Sequence, residues 1–161
     1  MGPYQSEIDA ILKARQFMES DVKKAIEAGA NFLSAVGLCT FTEFWGRMVE
    51  GIPRGASGRS FIVFFRRLGP AYGKLLDDGI DVYGEVRCGL VHSYTLDRGG
   101  MVSMSRGSCG LELGPKGYVF HVVTFFEDFL KAVDQYVEEV RADPDAQRRL
   151  KLALAGKSYL F

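Results

Sequence analysis

Arg87 and His92 stand five residues apart in the stretch RCGLVHSY, and they are the pair in this sequence best suited to chemistry on a phosphate ester. A guanidinium fork grips phosphate oxygens through paired hydrogen bonds. An imidazole, with an ordinary pKa near ~6.5, takes up or delivers a proton at neutral pH. The chain has only one other histidine, His121. It alternates with Phe120 and Val122 and is expected at a solvent-facing ladder position of a strand. If residues 80 to 94 form an α-helix at roughly 100° per residue, Tyr83, Val86, Leu90 and Tyr94 share the core stripe, with Arg87 about 40° from its centre. His92 then falls on the opposite face, among Asp81, Gly84, Glu85, Cys88 and Gly89. Small residues there allow a ligand or another backbone to approach. The plainer alternative is structural, with Arg87 edging the core in a salt bridge and His92 on an ordinary surface. Glu43, in the aromatic patch FTEFW, is the carboxylate expected to pair with Arg87 or another arginine.

The elements that must position these residues are mostly helical. Ser6 is a plausible N-cap for a helix over residues 6 to 18, with Ile8, Ile11 and Leu12 at helical spacing. A second helical region starts near Ser20 and carries Val22, Ile26, Phe32, Leu33, Val36, Phe44, Trp45 and Met48. Gly29 and Gly37 are its candidate breaks. GIPRGASG, residues 51 to 58, reads as a loop. SFIVFFRRL and AYGKLLDD read as short helices parted by Gly69-Pro70, and GIDVYGEVRCGLVHSY as the helix that carries the motif.

The pattern changes between Asp97 and Val123, where DRGG, SRGSCG and GPKG separate MVSMS, LEL and YVFHVV. These are expected to be short strands of two to three hairpins. Helical periodicity returns at TFFE, which matches a capping box with Thr124 at the N-cap and Glu127 at N3. Phe126, Phe129, Leu130, Val133, Tyr136, Val137 and Val140 follow as one stripe. A last helix is expected from Asp143-Pro144 to near Gly156. The fold class is therefore mainly α, a single-domain helical bundle with a small β-hairpin insertion around residues 97–123. Strands and helices do not alternate, which argues against a doubly wound α/β fold.

Composition narrows the classes of function. The 161 residues suit one domain, and the 47% apolar and 25% charged content is that of an ordinary globular chain. Lys+Arg and Asp+Glu are 20 each, so the basic excess of a protein that grips long duplexes is absent and any nucleic-acid contact must be local. Cys39, Cys88 and Cys109 are three in number, widely spaced and without a C-x-x-C, which favours a reducing compartment. MGPYQSEIDA lacks the basic and apolar regions of a signal peptide. The longest uncharged run, residues 28 to 42, is shorter than the ~20 residues that span a bilayer. A cytoplasmic location and no membrane partner are expected.

Other constellations are weaker. Cys88 and His92 could make half a zinc site, completed by His121, Cys109 or Cys39, yet no second paired spacing exists, so no metal is expected. A Cys109–His121 nucleophile is weaker still, because lone cysteines in apolar surroundings are usually inert. Arg66-Arg67 and the run Arg148, Arg149, Lys151 are candidate phosphate contacts, although such clusters are usually solvated faces. SRGSCG and GPKG lack G-x-x-x-x-G-K-[ST], so no nucleotide cofactor is indicated.

The segment Arg87-Cys88-Gly89-Leu90-Val91-His92, after an apolar helical lead-in and before Ser93-Tyr94, resembles the R-x(4–6)-H motif of the HEPN superfamily. The order of elements is also similar: an early helical pair, a later helix with the motif, then closing helices. The resemblance implies an HEPN-like bundle and a metal-independent endoribonuclease, in which the ribose 2′-hydroxyl attacks the adjacent phosphorus and leaves 2′,3′-cyclic phosphate and 5′-hydroxyl ends. His92 would then exchange the protons and Arg87 would hold the phosphate, with Cys88, Glu43 and Ser93 as binding or supporting residues. It further implies a homodimer whose interface forms the site, with RNA and an antitoxin or other protein as partners, as in toxin-like or defence systems. Cys88 stands where active members commonly carry asparagine. On an α-helix it is the i, i+4 neighbour of His92. A second function therefore stays open, that of an inactive HEPN-like module binding RNA, a nucleotide or a protein.

Overall fold

The computed structural model describes residues 4 to 155. The stop expected near Gly156 lies outside the described residues. Six α-helices and one π-helix enclose an aromatic core, with a three-stranded sheet against one end. Helix α1 (Gln5–Glu27) joins the expected first helix to the start of the second in one run. Its chain start is not capped by Ser6, whose hydroxyl bonds Glu7 instead. The real break is Gly29, held at φ +69°, a conformation that costs glycine little. Helix α2 (Asn31–Glu50) runs straight through Gly37.

Helices α3 (Ser57–Arg67) and α4 (Pro70–Asp77) follow the 51–56 loop. Helix α3 lies very close to α2. A β-carbon on Gly46 would collide with the Ser60 carbonyl, so only glycine fits there. Trp45 is fully buried at the centre of the core. It packs against Phe64, Tyr136 and Phe44 at centroid distances of 6.3, 6.1 and 5.5 Å. Its indole N–H points at the Met18 sulfur, 3.3 Å away. Aromatic packing of this kind supplies much of a core's apolar burial and fixes its geometry.

Helix α5 (Val122–Ala142) supplies the other wall, with the expected stripe buried or partly buried and Phe125 added to it. It begins two residues before Thr124, so the capping box does not form. The Thr124 hydroxyl instead accepts the backbone N–H of Gly107 at 3.1 Å, and Glu127 pairs with Arg106. Both ends of the presumed box tie down the preceding loop. Helix α6 (Pro144–Leu154) starts as read from the sequence, with the Asp143 carboxylate accepting from the Asp145 N–H at 2.9 Å.

The strands are β1 (Gly100–Ser103), β2 (Leu111–Gly114) and β3 (Gly117–His121), in the order β1-β3-β2. Only β2 and β3 form a hairpin, because β1 pairs with β3 in parallel, Gly100 opposite Tyr118 and Ser103 opposite His121. One hairpin with a parallel edge strand thus replaces the expected two to three hairpins. Val122 and Val123, read as the end of a strand, belong to α5. No helix among the described residues is long and apolar enough to cross a membrane.

Candidate functional site

The motif does not lie on an α-helix. Tyr83–Ser93 is an eleven-residue π-helix, closed by the Tyr94 N–H donating to the Gly89 carbonyl five residues back. π-Helical turns are rare, usually single, and often found at functional sites. This winding changes the facing of the motif. Its i→i+5 hydrogen bonds stack residues five apart about one turn above each other, as i+4 neighbours stack in an α-helix. Arg87 and His92 therefore lie on one side of the helix. The divergence of ~140° expected from α-helical winding is overturned.

The backbone around the helix accounts for part of this geometry. The Glu85 carbonyl also accepts the N–H of Asp97 at 3.0 Å, and the Gly89 carbonyl that of Thr95 at 3.1 Å. The returning segment therefore lies tight along the helix. A β-carbon on Gly89 would meet the Thr95 carbonyl at 2.7 Å, so this glycine is covered by its own chain. At Gly84 a β-carbon would meet only the carboxylate tip of the exposed Asp81 side chain, which can move aside. The small-residue face expected to receive a partner helix is thus covered from within at Gly89, while His92 stays exposed.

Val86 and Leu90 are buried as expected, and Tyr83 is half-buried. Tyr94 is not in the core stripe. It ends the helix at φ +55° and is 74% exposed.

Arg87 is held firmly. Its Nη2 donates to Glu43 Oε2 at 2.8 Å, and the two side chains are only 15% and 12% exposed. Its guanidinium carbon lies 5.4 Å from the Tyr83 ring centroid, in cation–π range. Its buried Nε has no hydrogen-bond partner among the described residues. Burial pulls this guanidinium's pKa down, but Glu43 and the other neighbouring groups outweigh it and the net shift is upward. Burial likewise pushes the Cys39 thiol up to about 12, only partly countered by Arg87 nearby, so this cysteine is an inert thiol.

The His92 side chain is exposed and forms no hydrogen bond or ion pair with another described residue. Ser93 is exposed beside it. Cys88 is half-buried and stays within about one turn of His92 on this winding too, because i+4 as well as i+5 neighbours lie about one turn apart in a π-helix. The Tyr83 hydroxyl has its pKa raised, first by burial, with Cys88 among the smaller causes. Arg87, paired with Glu43, and His92 thus share one side of the helix, with Cys88 within a turn of His92.

Sequence reasoning missed the anchor of this helix. Glu85 takes both prongs of the Arg98 guanidinium, at 2.6 and 2.7 Å, and the Tyr118 hydroxyl at 2.6 Å. The hydrogen bond from Arg98 holds the Glu85 carboxyl below the usual range. The sheet is thereby bolted to the motif helix through one carboxylate. Arg98 has positive φ, but nothing in the sequence pairs it with Glu85 thirteen residues earlier.

The remaining candidates are engaged elsewhere. His121 is only 12% exposed at its side chain, not solvent-facing. Its Nδ1 lies 3.2 Å from the Ser105 carbonyl and its Nε2 3.7 Å from Glu112. Arg66 pairs with Asp77 and Arg67 with Glu139. Arg148 pairs with Asp145, while Arg149 donates to the Val49 carbonyl and Lys151 sits over the Tyr4 ring. Among the described residues, no three His, Cys, Asp or Glu side chains gather as a metal site. No protein-family model matches this chain, and neither does any curated protein or solved structure.

Proposed function

We propose that the protein is an HEPN-like endoribonuclease that cleaves RNA by attack of a ribose 2′-hydroxyl on the neighbouring phosphorus. The observation that carries this reading is the shared side of Arg87 and His92 on the π-helix. His92, open and unpartnered, takes the 2′-hydroxyl proton or delivers one to the departing 5′-oxygen. Arg87, its stem covered and its head fixed by Glu43, meets the charge that builds on phosphorus. The products carry 2′,3′-cyclic phosphate and 5′-hydroxyl ends. The proposal keeps the cytoplasmic homodimer, the metal-independent chemistry and the toxin-like or defence setting, with an antitoxin or other protein partner, that the resemblance implies. The dimer pairs two such helix sides across one cleft, so it no longer has to reconcile diverging side chains.

Single-stranded RNA incubated with the protein in EDTA, beside His92→Ala and Arg87→Ala variants, tests this. Cleavage is expected in the unmodified protein alone, with cyclic-phosphate ends. A second reading, an inactive module that binds RNA, a nucleotide or a protein, is favoured by the Glu43 carboxylate already occupying the guanidinium at 2.8 Å. RNA left intact under all conditions would select it.

A further inference from the structure

Just beyond the motif helix lies an open cavity of about 390 Å³, with Asn31, Phe32, Leu90, Tyr94 and Met101 among its walls. Among the described residues no charged side chain lines it, so a phosphate, carboxylate or metal ion would be stripped of water there without compensation. Its apolar walls combine the rings of Phe32 and Tyr94 with the side chains of Leu90, Leu96, Met101 and Val102. The Phe32 and Tyr94 rings lie 4.0 Å apart between centroids, tilted by 43°, and the exposure of Tyr94 leaves one ring face open.

The polar groups at its edge are amides. Asn31 Nδ2 donates to the Val102 carbonyl at 3.0 Å, which uses one of its two N–H bonds. Along the rim the Gly99 N–H and carbonyl are already bonded to the Leu96 carbonyl and the Tyr118 N–H, and Gly100 follows, where a β-carbon would strike the Tyr118 carbonyl. The volume lies near the small end of the roughly 300–1,000 Å³ typical of ligand sites, which suits one flat ring system.

A second observation concerns Tyr94 itself. It adopts left-handed backbone angles, φ +55° and ψ +31°, which a bulky residue seldom adopts. Strain of this kind collects at ligand clamps. The strained conformation puts an open aromatic face at the cavity, two residues after His92.

We infer that this cavity is a nucleobase subsite, in which one unpaired base of single-stranded RNA stacks on Tyr94 and offers its edge to the remaining Asn31 N–H and the Gly100 backbone. A base suits an uncharged, aromatic, amide-edged hollow, and stacking tolerates any base because each has a π-face. Its role in placing the adjoining ribose and phosphate beside His92 rests on the nuclease reading, whereas base binding does not.

The test measures binding apart from cleavage. Full-length His92→Ala protein, which cannot turn over substrate on the nuclease reading, is titrated into a fluorescently labelled short single-stranded RNA and followed by anisotropy. Tyr94→Leu, which keeps apolar bulk but removes the π-face, is expected to weaken binding about tenfold, while Tyr94→Phe binds as before. Unfolding midpoints verify that each variant is folded. Equal binding by the Tyr94→Leu variant, or no RNA binding by any form, overturns the subsite. So does unchanged RNA binding alongside a shift from dimer to monomer in sedimentation, which would give the cavity to a second copy of the chain. Tyr94-dependent binding without cleavage by the unmodified protein would retain the subsite and remove the nuclease. Cleavage indifferent to Tyr94→Leu would do the reverse.

Discussion

His92 and His121 are the chain's only histidines, and the fold treats them in opposite ways. His92 stands at the end of the π-helix, exposed and without a partner among the described residues. His121 closes β3, largely covered, with one ring nitrogen near the Ser105 carbonyl and the other near Glu112. A β-carbon on Gly107 would collide with its ring, so the loop before β2 is moulded around it. An imidazole with both nitrogens facing fixed oxygens is a strut. One that faces water beside an anchored guanidinium is free to exchange protons with a ligand. Residue type alone could not separate the two, because the distinction lies in what surrounds each ring.

The largest effect should come from exchanging their fates. On the proposed function, His92→Ala is expected to lower RNA cleavage by about 10²–10⁴-fold and to shift stability by no more than about 0.5 kcal/mol. His121→Ala should leave cleavage within a few-fold and cost about 1–2 kcal/mol, because the loop loses its packing and bonds. Cleavage assays and urea unfolding of both variants provide the comparison. Equal loss of activity in the two would erase it.

Arg87→Ala comes next, and here stability is the sharper readout. Removing the guanidinium leaves the Glu43 carboxylate in place with 12% exposure, and an abandoned buried partner costs about 3 kcal/mol or more. Arg87→Ala with Glu43→Gln should recover much of that stability but no cleavage. If the double variant is as unstable as the single one, the pair is not the source of the cost.

A smaller effect is expected from acid. Glu85 is held below the ordinary carboxyl range by Arg98, and Glu112 chiefly by the Ser108 hydroxyl. A depressed folded pKa means that the native state favours the ionised form. The stability from these groups is therefore complete above the unfolded value near ~4.3 and is lost as pH falls through it towards the folded value. The unfolding midpoint should drop between about pH 5 and 3, and Glu85→Gln should flatten that limb while lowering stability at pH 7. Tyr118→Phe, which removes one hydrogen bond to the same carboxylate, should cost about 1 kcal/mol. An unchanged acid limb in Glu85→Gln would show that the bolt between sheet and π-helix carries little.

Much of the frame was legible because its signals are local. The aromatic stripe of α5, the Asp143-Pro144 start of α6, the Gly29 break and the strand-rich stretch after Asp97 all follow from period, turn residues and caps. The reading failed where long-range bonds override local pattern. Thr124 and Glu127 spell a capping box, but loop 104–110 claims both side chains. The parallel pairing of β1 with β3 depends on how the chain crosses between them, which no short window records.

The π-winding was also hidden. Val82, Val86 and Leu90 recur at a spacing that fits an α-helix, while the closing bonds come from residues 95 and 97. Arg87 with Glu43 was within reach, since a half-covered arginine needs a carboxylate. Glu85 with Arg98 and Tyr118 was not, because Tyr118 is brought there only by the sheet.

Cys88 offers the smallest expected effect. It stands four residues before His92, and residues so spaced lie about one turn apart in α and π winding alike, so it remains a neighbour of the imidazole. Cys88→Asn, which places an amide donor and acceptor there, is expected to raise cleavage about threefold, equivalent to roughly 0.7 kcal/mol. An unchanged or lower rate, measured beside an inactive His92→Ala control, would show that the group at 88 does not orient the imidazole.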